Sequence, residues 1–157
     1  MLEPGTAAPT FSLPNQDGDD VSLAEFDGQR VVLYFYPRAN TPGCTREANG
    51  FSDHLDAFAE RDVAVVGVSD DPVEALAEFD TDHDLGFTLL SDADGEVATA
   101  YESYGERTIG DETVEIAFRN TYLIGPDGEI ERAYEGVSPD GHPREVLDDV
   151  DEIRAGE

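Results

Sequence analysis

Two blocks, VVLYFY at residues 31–36 and VAVVGV at 63–68, are apolar or aromatic at every position, and that continuity most constrains the fold. A strand with one wet face alternates polar with apolar, whereas a strand without alternation is covered on both faces. Pro37 closes the first block. Residues 42 to about 60 then read as a helix, with Cys44, Ala48, Phe51, Leu55 and Phe58 recurring at helical spacing. After the second block, Asp71 is placed to cap another helix whose first position is Pro72, with Val73, Leu76 and Ala77 on one face. Strands joined through helices in this way give a β-α-β-α unit with a sheet between helical layers.

The flanking segments extend that unit. Phe11 to Leu13 and Val21 to Leu23 surround the turn-rich NQDGDD and predict a small hairpin. Residues 94 to 104 predict a short helix after the loop LLSDADGE. Thr121 to Ile124, the turn Gly125-Pro126-Asp127-Gly128 and Glu129 to Tyr134 predict strand, turn and strand. A last helix is expected from Ser138-Pro139, carrying Val146, Leu147, Val150 and Ile153 on one face. No internal repeat or linker divides the chain, so residues 1–157 are expected to form one domain.

Charge sets the environment. The chain carries 37 acidic residues against nine cations, all arginine, for a formal net charge of −28. Leu, Ile, Val and Phe still make up 37 of its 157 residues, above the roughly 20 per cent that marks disordered chains. The acids fall in turns and on outer helix faces, which predicts a folded domain with an acidic surface. Such a surface repels itself in dilute buffer, but at molar salt the Debye length shrinks to roughly 3 Å. We read a halophile's protein. No basic patch is available for phosphate backbones or anionic membranes, so neither nucleic acid nor membrane is an expected partner. Residues 1–20 show no secretory signal, and the longest apolar run is far short of the roughly 18 residues of a membrane span. With a single cysteine there is neither an intrachain disulfide nor a cysteine-based zinc site. A reducing cytoplasm is the expected location.

That cysteine sits in YPRANTPGCTREANGF, residues 36–51. Thr41 is placed to cap the helix, Pro42 fits its first position because no N–H is needed there, and Cys44 falls third. Unpaired N–H groups and the positive end of the helix dipole favour an anion at such a place, hence thiolate over thiol. Yet Cys44 also lies on the helix's apolar stripe, where a cysteine is commonly a small buried hydrophobe. Spacing alone leaves both readings open.

The run Pro37-Arg-Ala-Asn-Thr41-Pro-Gly-Cys44 has the Pro-x-x-x-Thr-x-x-Cys form of the peroxiredoxins, and NTPGCTREA resembles their bacterioferritin comigratory protein (PrxQ) branch. VVGVSDDP, FTLLSDADGEVATAY and RNTYLIGPDGEI resemble further family segments in the same order, so the resemblance spans nearly the whole chain. It implies an α/β, thioredoxin-like fold: a central mixed β-sheet flanked by helices, with an N-terminal β-hairpin. It also implies reduction of hydrogen peroxide and organic hydroperoxides by a peroxidatic Cys44. Arg119 matches the arginine that family members set beside the thiolate, and Thr41 the hydroxyl that contacts sulfur and peroxide. Pro37 matches the residue that shields the sulfur, and Glu47 the position that helps to hold the arginine.

One departure bears on turnover. Many PrxQ-type relatives carry a resolving cysteine five residues after the peroxidatic one, and here that position is Asn49. The resemblance therefore implies a one-cysteine peroxidase whose sulfenic acid meets an external thiol, either a thioredoxin-like protein or a low-molecular-weight thiol. A peroxide-sensing redox relay is the alternative reading. His54, His83 and His142 share no metal-ligand spacing, Asp92-Ala-Asp94-Gly95 brings its glycine too early for a calcium loop, and no phosphate-cradling glycine loop follows a strand. Neither metal nor cofactor is expected.

Overall fold

Both apolar blocks become inner strands of one sheet. The computed structural model describes residues 1–156, apart from the side chain of Ile109. A hairpin, β1 (Ser12–Pro14) and β2 (Asp20–Ser22), leads through a 3-10 turn at Leu23–Phe26 into β3 (Arg30–Phe35). Next come α1 (Pro42–Asp53), α2 (Leu55–Glu60), β4 (Val63–Ser69), α3 (Val73–His83), β5 (Thr88–Ser91) and α4 (Glu96–Ala100). The chain ends with β6 (Tyr104–Ile109), β7 (Glu112–Ala117), β8 (Thr121–Ile124), β9 (Ile130–Tyr134) and α5 (His142–Ala155).

The main sheet runs in the order β5-β4-β3-β8-β9. β3, β4 and β5 are parallel, whereas β8 and β9 are antiparallel additions. This is a central mixed sheet of thioredoxin-like type. Successive side chains of a strand point to opposite faces, and β3 shows why both of its faces had to be apolar. Val32, Tyr34 and Tyr36 meet Cys44, Ala48 and Phe51 of α1, Leu76 and Phe79 of α3, and Val146 and Val150 of α5. Val31, Leu33 and Phe35 meet Phe11, Leu23, Ala98 and Tyr101 on the other side.

The N-terminal hairpin also covers the β5 edge. Gln16 acts as a short piece of strand there: its Nε2 donates to Phe87 O (2.8 Å) and its Oε1 accepts from Leu89 N–H (3.0 Å). An unpaired edge invites pairing with another chain, and this side chain occupies it.

Several elements depart from expectation. β5 occupies what the sequence suggests is a loop, because its Leu89 and Leu90 are too short a run to announce a strand before both are buried. The hairpin of β6 and β7 is likewise unanticipated. Its strands carry glutamates, arginine and threonines on open faces, so no apolar run marks them, and the two-residue Gly110-Asp111 connection is the only local signal. α5 starts at His142 rather than at Ser138-Pro139, after Gly141 in the left-handed region, with Pro143 in its first turn.

The helix expected over 42–60 breaks at His54, whose backbone leaves helical geometry and whose Nδ1 bonds Gly50 O (2.9 Å). Asp71 does not cap α3. Pro72 takes the capping position, and the Asp71 carboxylate turns back to accept from Ala39 N–H (2.7 Å) and the Ser69 hydroxyl (2.8 Å).

α1 owes its closeness to α5 to Gly50. A β-carbon there would stand 2.9 Å from Pro143 Cγ, nearer than packed atoms tolerate. Gly50→Val is expected to lower unfolding free energy by about 1–3 kcal/mol through overpacking. Urea unfolding in molar salt checks this, and an unchanged midpoint would contradict the packing assignment.

Candidate active site

The loop that leaves β3 turns the chain into α1 and decides what the helix presents. Thr41 is extended (φ −89°, ψ 154°), and its carbonyl accepts the first helical bond, from Thr45 N–H at 2.8 Å. Pro42 has no N–H, so the Gly43 and Cys44 amides are the unpaired donors of this helix end. Cys44 is the third helical residue, as its spacing predicts, and it is 1% exposed. Thr41 differs from its expected role as a side-chain cap. Its hydroxyl donates to Arg38 O (2.8 Å), because the turn brings that carbonyl closer than the helical amides.

Arg119 arrives from the opposite side, between β7 and β8. Its carbonyl accepts from Val137 N–H (2.9 Å), and the next residue, Asn120, pairs with the end of β3 through Phe35 N–H (2.8 Å). Fixed in this way, the guanidinium makes two contacts: Nη2 donates to Cys44 Sγ (3.4 Å) and Nη1 to Glu47 Oε1 (2.9 Å). Gly43 leaves room for it, since a β-carbon there would stand 3.2 Å from Nη2. The structure thus brings Cys44, Glu47 and Arg119 together. Pro37 is half-buried and shares with Arg119, Phe118 and Ile116 the wall of a cavity of about 660 Å³. Thr41 lies at the exposed rim of the same turn.

Glu47 follows Cys44 by three residues, on the same inward face of α1. It is fully buried, and its second oxygen, Oε2, has no hydrogen-bond partner among the described residues. Burial pushes its carboxyl up to about 7, with Arg119 pulling in the other direction. Burial works against the charge on Arg119, but Cys44 and Glu47 outweigh it and hold the guanidinium above its ordinary value. One cation therefore serves two acidic groups in an apolar setting. The Tyr34 hydroxyl is a third buried polar group near them, also without a partner among the described residues; burial raises it well above the ordinary tyrosine range. Among the described residues no group of His, Cys, Asp and Glu is arranged to hold a metal ion.

Spacing missed the ties that hold the loop. Asp71 grips the Ala39 amide, Asp70 bonds the Arg38 guanidinium and accepts from Tyr104 OH (3.0 Å), and Asn40 Oδ1 meets His83 Nε2 (2.9 Å). These contacts span 32 to 43 residues of sequence. The polar run SDD at the end of β4 is the only local hint.

The site is a lone thiol at a helix start on a thioredoxin-like sheet, with an arginine on its sulfur. Comparisons with known proteins give its class. Residues 4–133 match the AhpC/TSA family. A peroxiredoxin of Mycobacterium tuberculosis H37Rv is 45% identical, covering 95% of each chain, and peroxiredoxin Bcp of Escherichia coli K12 is 42% identical, covering 93% of this chain and 94% of that one. The bacterioferritin comigratory protein of Xanthomonas campestris superposes with a TM-score of 0.89 at 28% identity, covering 96% and 99% of the two chains. The chain belongs to the AhpC/TSA family, as a peroxiredoxin of the Bcp/PrxQ type, and is a thiol peroxidase.

The buried carboxyl makes stability depend on pH. Its folded value, about 7, lies above the ordinary 4.5, so the folded chain holds an extra proton between them. The stabilisation is complete below the lower value and lost as pH rises through the upper one. Relative to Glu47→Gln, the natural chain is expected to lose about 3 kcal/mol of stability across that window. Urea unfolding at both ends of the window, in molar salt, measures it; a constant difference between the two proteins would mean that Glu47 does not hold the proton.

Proposed function

We propose that Cys44 is the peroxidatic residue of a one-cysteine peroxidase, which reduces hydrogen peroxide and organic hydroperoxides and is restored by an external thiol. The observation that carries this reading is Arg119 Nη2 at 3.4 Å from Cys44 Sγ, across 75 residues of sequence. A packed thiol does not need a guanidinium on its sulfur, whereas a thiolate is stabilised by one, and the half-buried Arg119 is held there.

In the first half-reaction the Cys44 thiolate attacks one peroxide oxygen in line with the O–O bond. An S–O bond forms, the O–O bond breaks, and sulfur is oxidised by two electrons to sulfenic acid. The departing hydroxide or alkoxide takes up a proton and leaves as water or alcohol. Negative charge grows on that departing oxygen, so the Arg119 guanidinium and the Gly43 and Cys44 amides act where it develops. Thr41 takes a different part from these donors: its proton is committed to Arg38 O, leaving its lone pairs to accept from a peroxide O–H. Glu47 orients Arg119, and Pro37 keeps water from the sulfur.

In the second half-reaction an external thiol attacks the sulfenic sulfur, giving a mixed disulfide and water. A second thiol then releases Cys44 and carries away the disulfide. Asn49 stands where an internal thiol would serve, which is why the reductant is external: a thioredoxin-like protein or a small thiol. Two features support organic substrates. The cavity beside Arg119 has apolar walls at Ile116, Ala117 and Phe118, and the X. campestris relative is described for its alkyl peroxide reduction activity. The acidic, lysine-free composition suits molar salt, and a single cysteine suits a reducing cytoplasm.

Cys44→Ser is expected to abolish peroxide reduction while leaving the unfolding midpoint near that of the natural chain; retained activity would remove Cys44 from the chemistry. Arg119→Met is expected to slow sulfur oxidation by about 10²–10³, the usual effect of losing one donor at a developing oxyanion. Stopped-flow oxidation of the folded variant measures this, and an unchanged rate would refute the role of Arg119.

A further inference from the structure

Asp71 precedes α3, yet its carboxylate serves another element. Oδ2 accepts from Ala39 N–H (2.7 Å) and from the Ser69 hydroxyl (2.8 Å), while Ser91 Oγ donates to the Asp71 carbonyl (2.7 Å). Ser69 and Ser91 are buried. The carboxylate is therefore held from the sheet side and reaches into the loop. Ala39 is the middle residue of that loop, between Pro37, which lines the cavity with Arg119, and Thr41, which starts α1.

Other ties flank it. Asp70 holds the Arg38 side chain, His83 and Asp82 meet Asn40, and Thr41 bonds back to Arg38 O. The first two pairs grip side chains. Asp71 grips the main chain from another element, and it does so beside Asn40, whose left-handed backbone at φ 60° turns the loop toward α1. A charged acceptor makes that amide bond stronger than a neutral one. Where Ala39 sits fixes the path into Pro42, and with it the distance between the first turn of α1 and Arg119, which is anchored separately through Val137 and Asn120.

Building on the peroxidatic reading of Cys44, we propose that Asp71 is a positioning residue for peroxide reduction, holding the loop through the Ala39 amide so that the Cys44 turn and Arg119 converge on one peroxide. Asp71 touches neither sulfur nor substrate. Reaction with peroxide needs thiolate, amides and guanidinium aligned together, whereas alkylation by iodoacetamide needs only an accessible thiolate. A loosened loop separates the two.

The test compares Asp71→Ala, Asp71→Asn and the natural chain in molar salt, by single-turnover oxidation with hydrogen peroxide, alkylation with iodoacetamide, and urea unfolding. Asp71→Ala is expected to lose about 10- to 100-fold in peroxide rate while alkylation stays within about threefold. Asp71→Asn keeps an oxygen for the Ala39 amide and is expected to recover to within about threefold of the natural rate. Parallel loss of both reactions, or no rescue by asparagine, would assign Asp71 a merely structural part and overturn the proposal. A fast natural chain with an equally fast Asp71→Ala overturns the proposal alone; a natural chain no faster than free cysteine overturns the Cys44 reading and the proposal together. Should Asp71→Ala not fold, hydrogen exchange in the natural chain decides: the Ala39 amide is expected to exchange at least about tenfold more slowly than the Asn40 amide, and equal exchange overturns the proposal.

Discussion

A single guanidinium, shared between the sulfur of Cys44 and the carboxylate of Glu47, is the contact on which the site depends. Both acceptors are buried, both lie on one face of α1, and among the described residues neither has another cation within hydrogen-bonding distance. Charge removed from water must be repaid by geometry. Arg119 supplies that geometry because its planar fork holds two donors in fixed directions, one toward each acceptor, whereas an ammonium is a point charge at the end of a flexible stem. Among the described residues Glu47 Oε2 has no hydrogen-bond partner, so its carboxyl relies on Arg119 through Oε1 alone.

The scaffold exists to bring two distant segments to this contact. β3 and β4 place the start of α1 at one end of the sheet; β8, antiparallel to β3, brings the residue before Asn120 to the same end. The side chains of β3 then divide between two cores, and the helical core contains Cys44 itself. The sulfur is thus both packed and paired. Its packing is what the apolar-stripe reading expects, and the cation delivered to its sulfur is what the reactive reading requires.

Much of this was legible in the sequence, for physical reasons. β3, β4, β8 and the helix carrying Cys44 announce themselves by continuous or periodic apolar residues, and Pro42 sets the helix start to the residue. Solvent-facing strands carry no such record: β6 and β7 are written in Glu, Arg and Thr, and only Gly110-Asp111 hints at their turn. Long-range polar contacts are equally silent. Nothing near Arg119 in sequence says that it meets Cys44, and the resemblance to the peroxiredoxins was what singled it out. Asp71 shows the reverse failure. A sound local rule made it a helix cap, and the tertiary structure used its carboxylate for a loop 32 residues away.

The proposed chemistry needs an activated sulfur. Its most direct test is the rate at which Cys44 is oxidised by one equivalent of hydrogen peroxide in molar salt, set against free cysteine under the same conditions. The shared guanidinium predicts oxidation many orders of magnitude faster than the free thiol, with a sulfenic acid that can be trapped. A rate near that of free cysteine, in protein shown to be folded, would contradict it and leave Cys44 as a packed side chain beside an arginine that serves only Glu47.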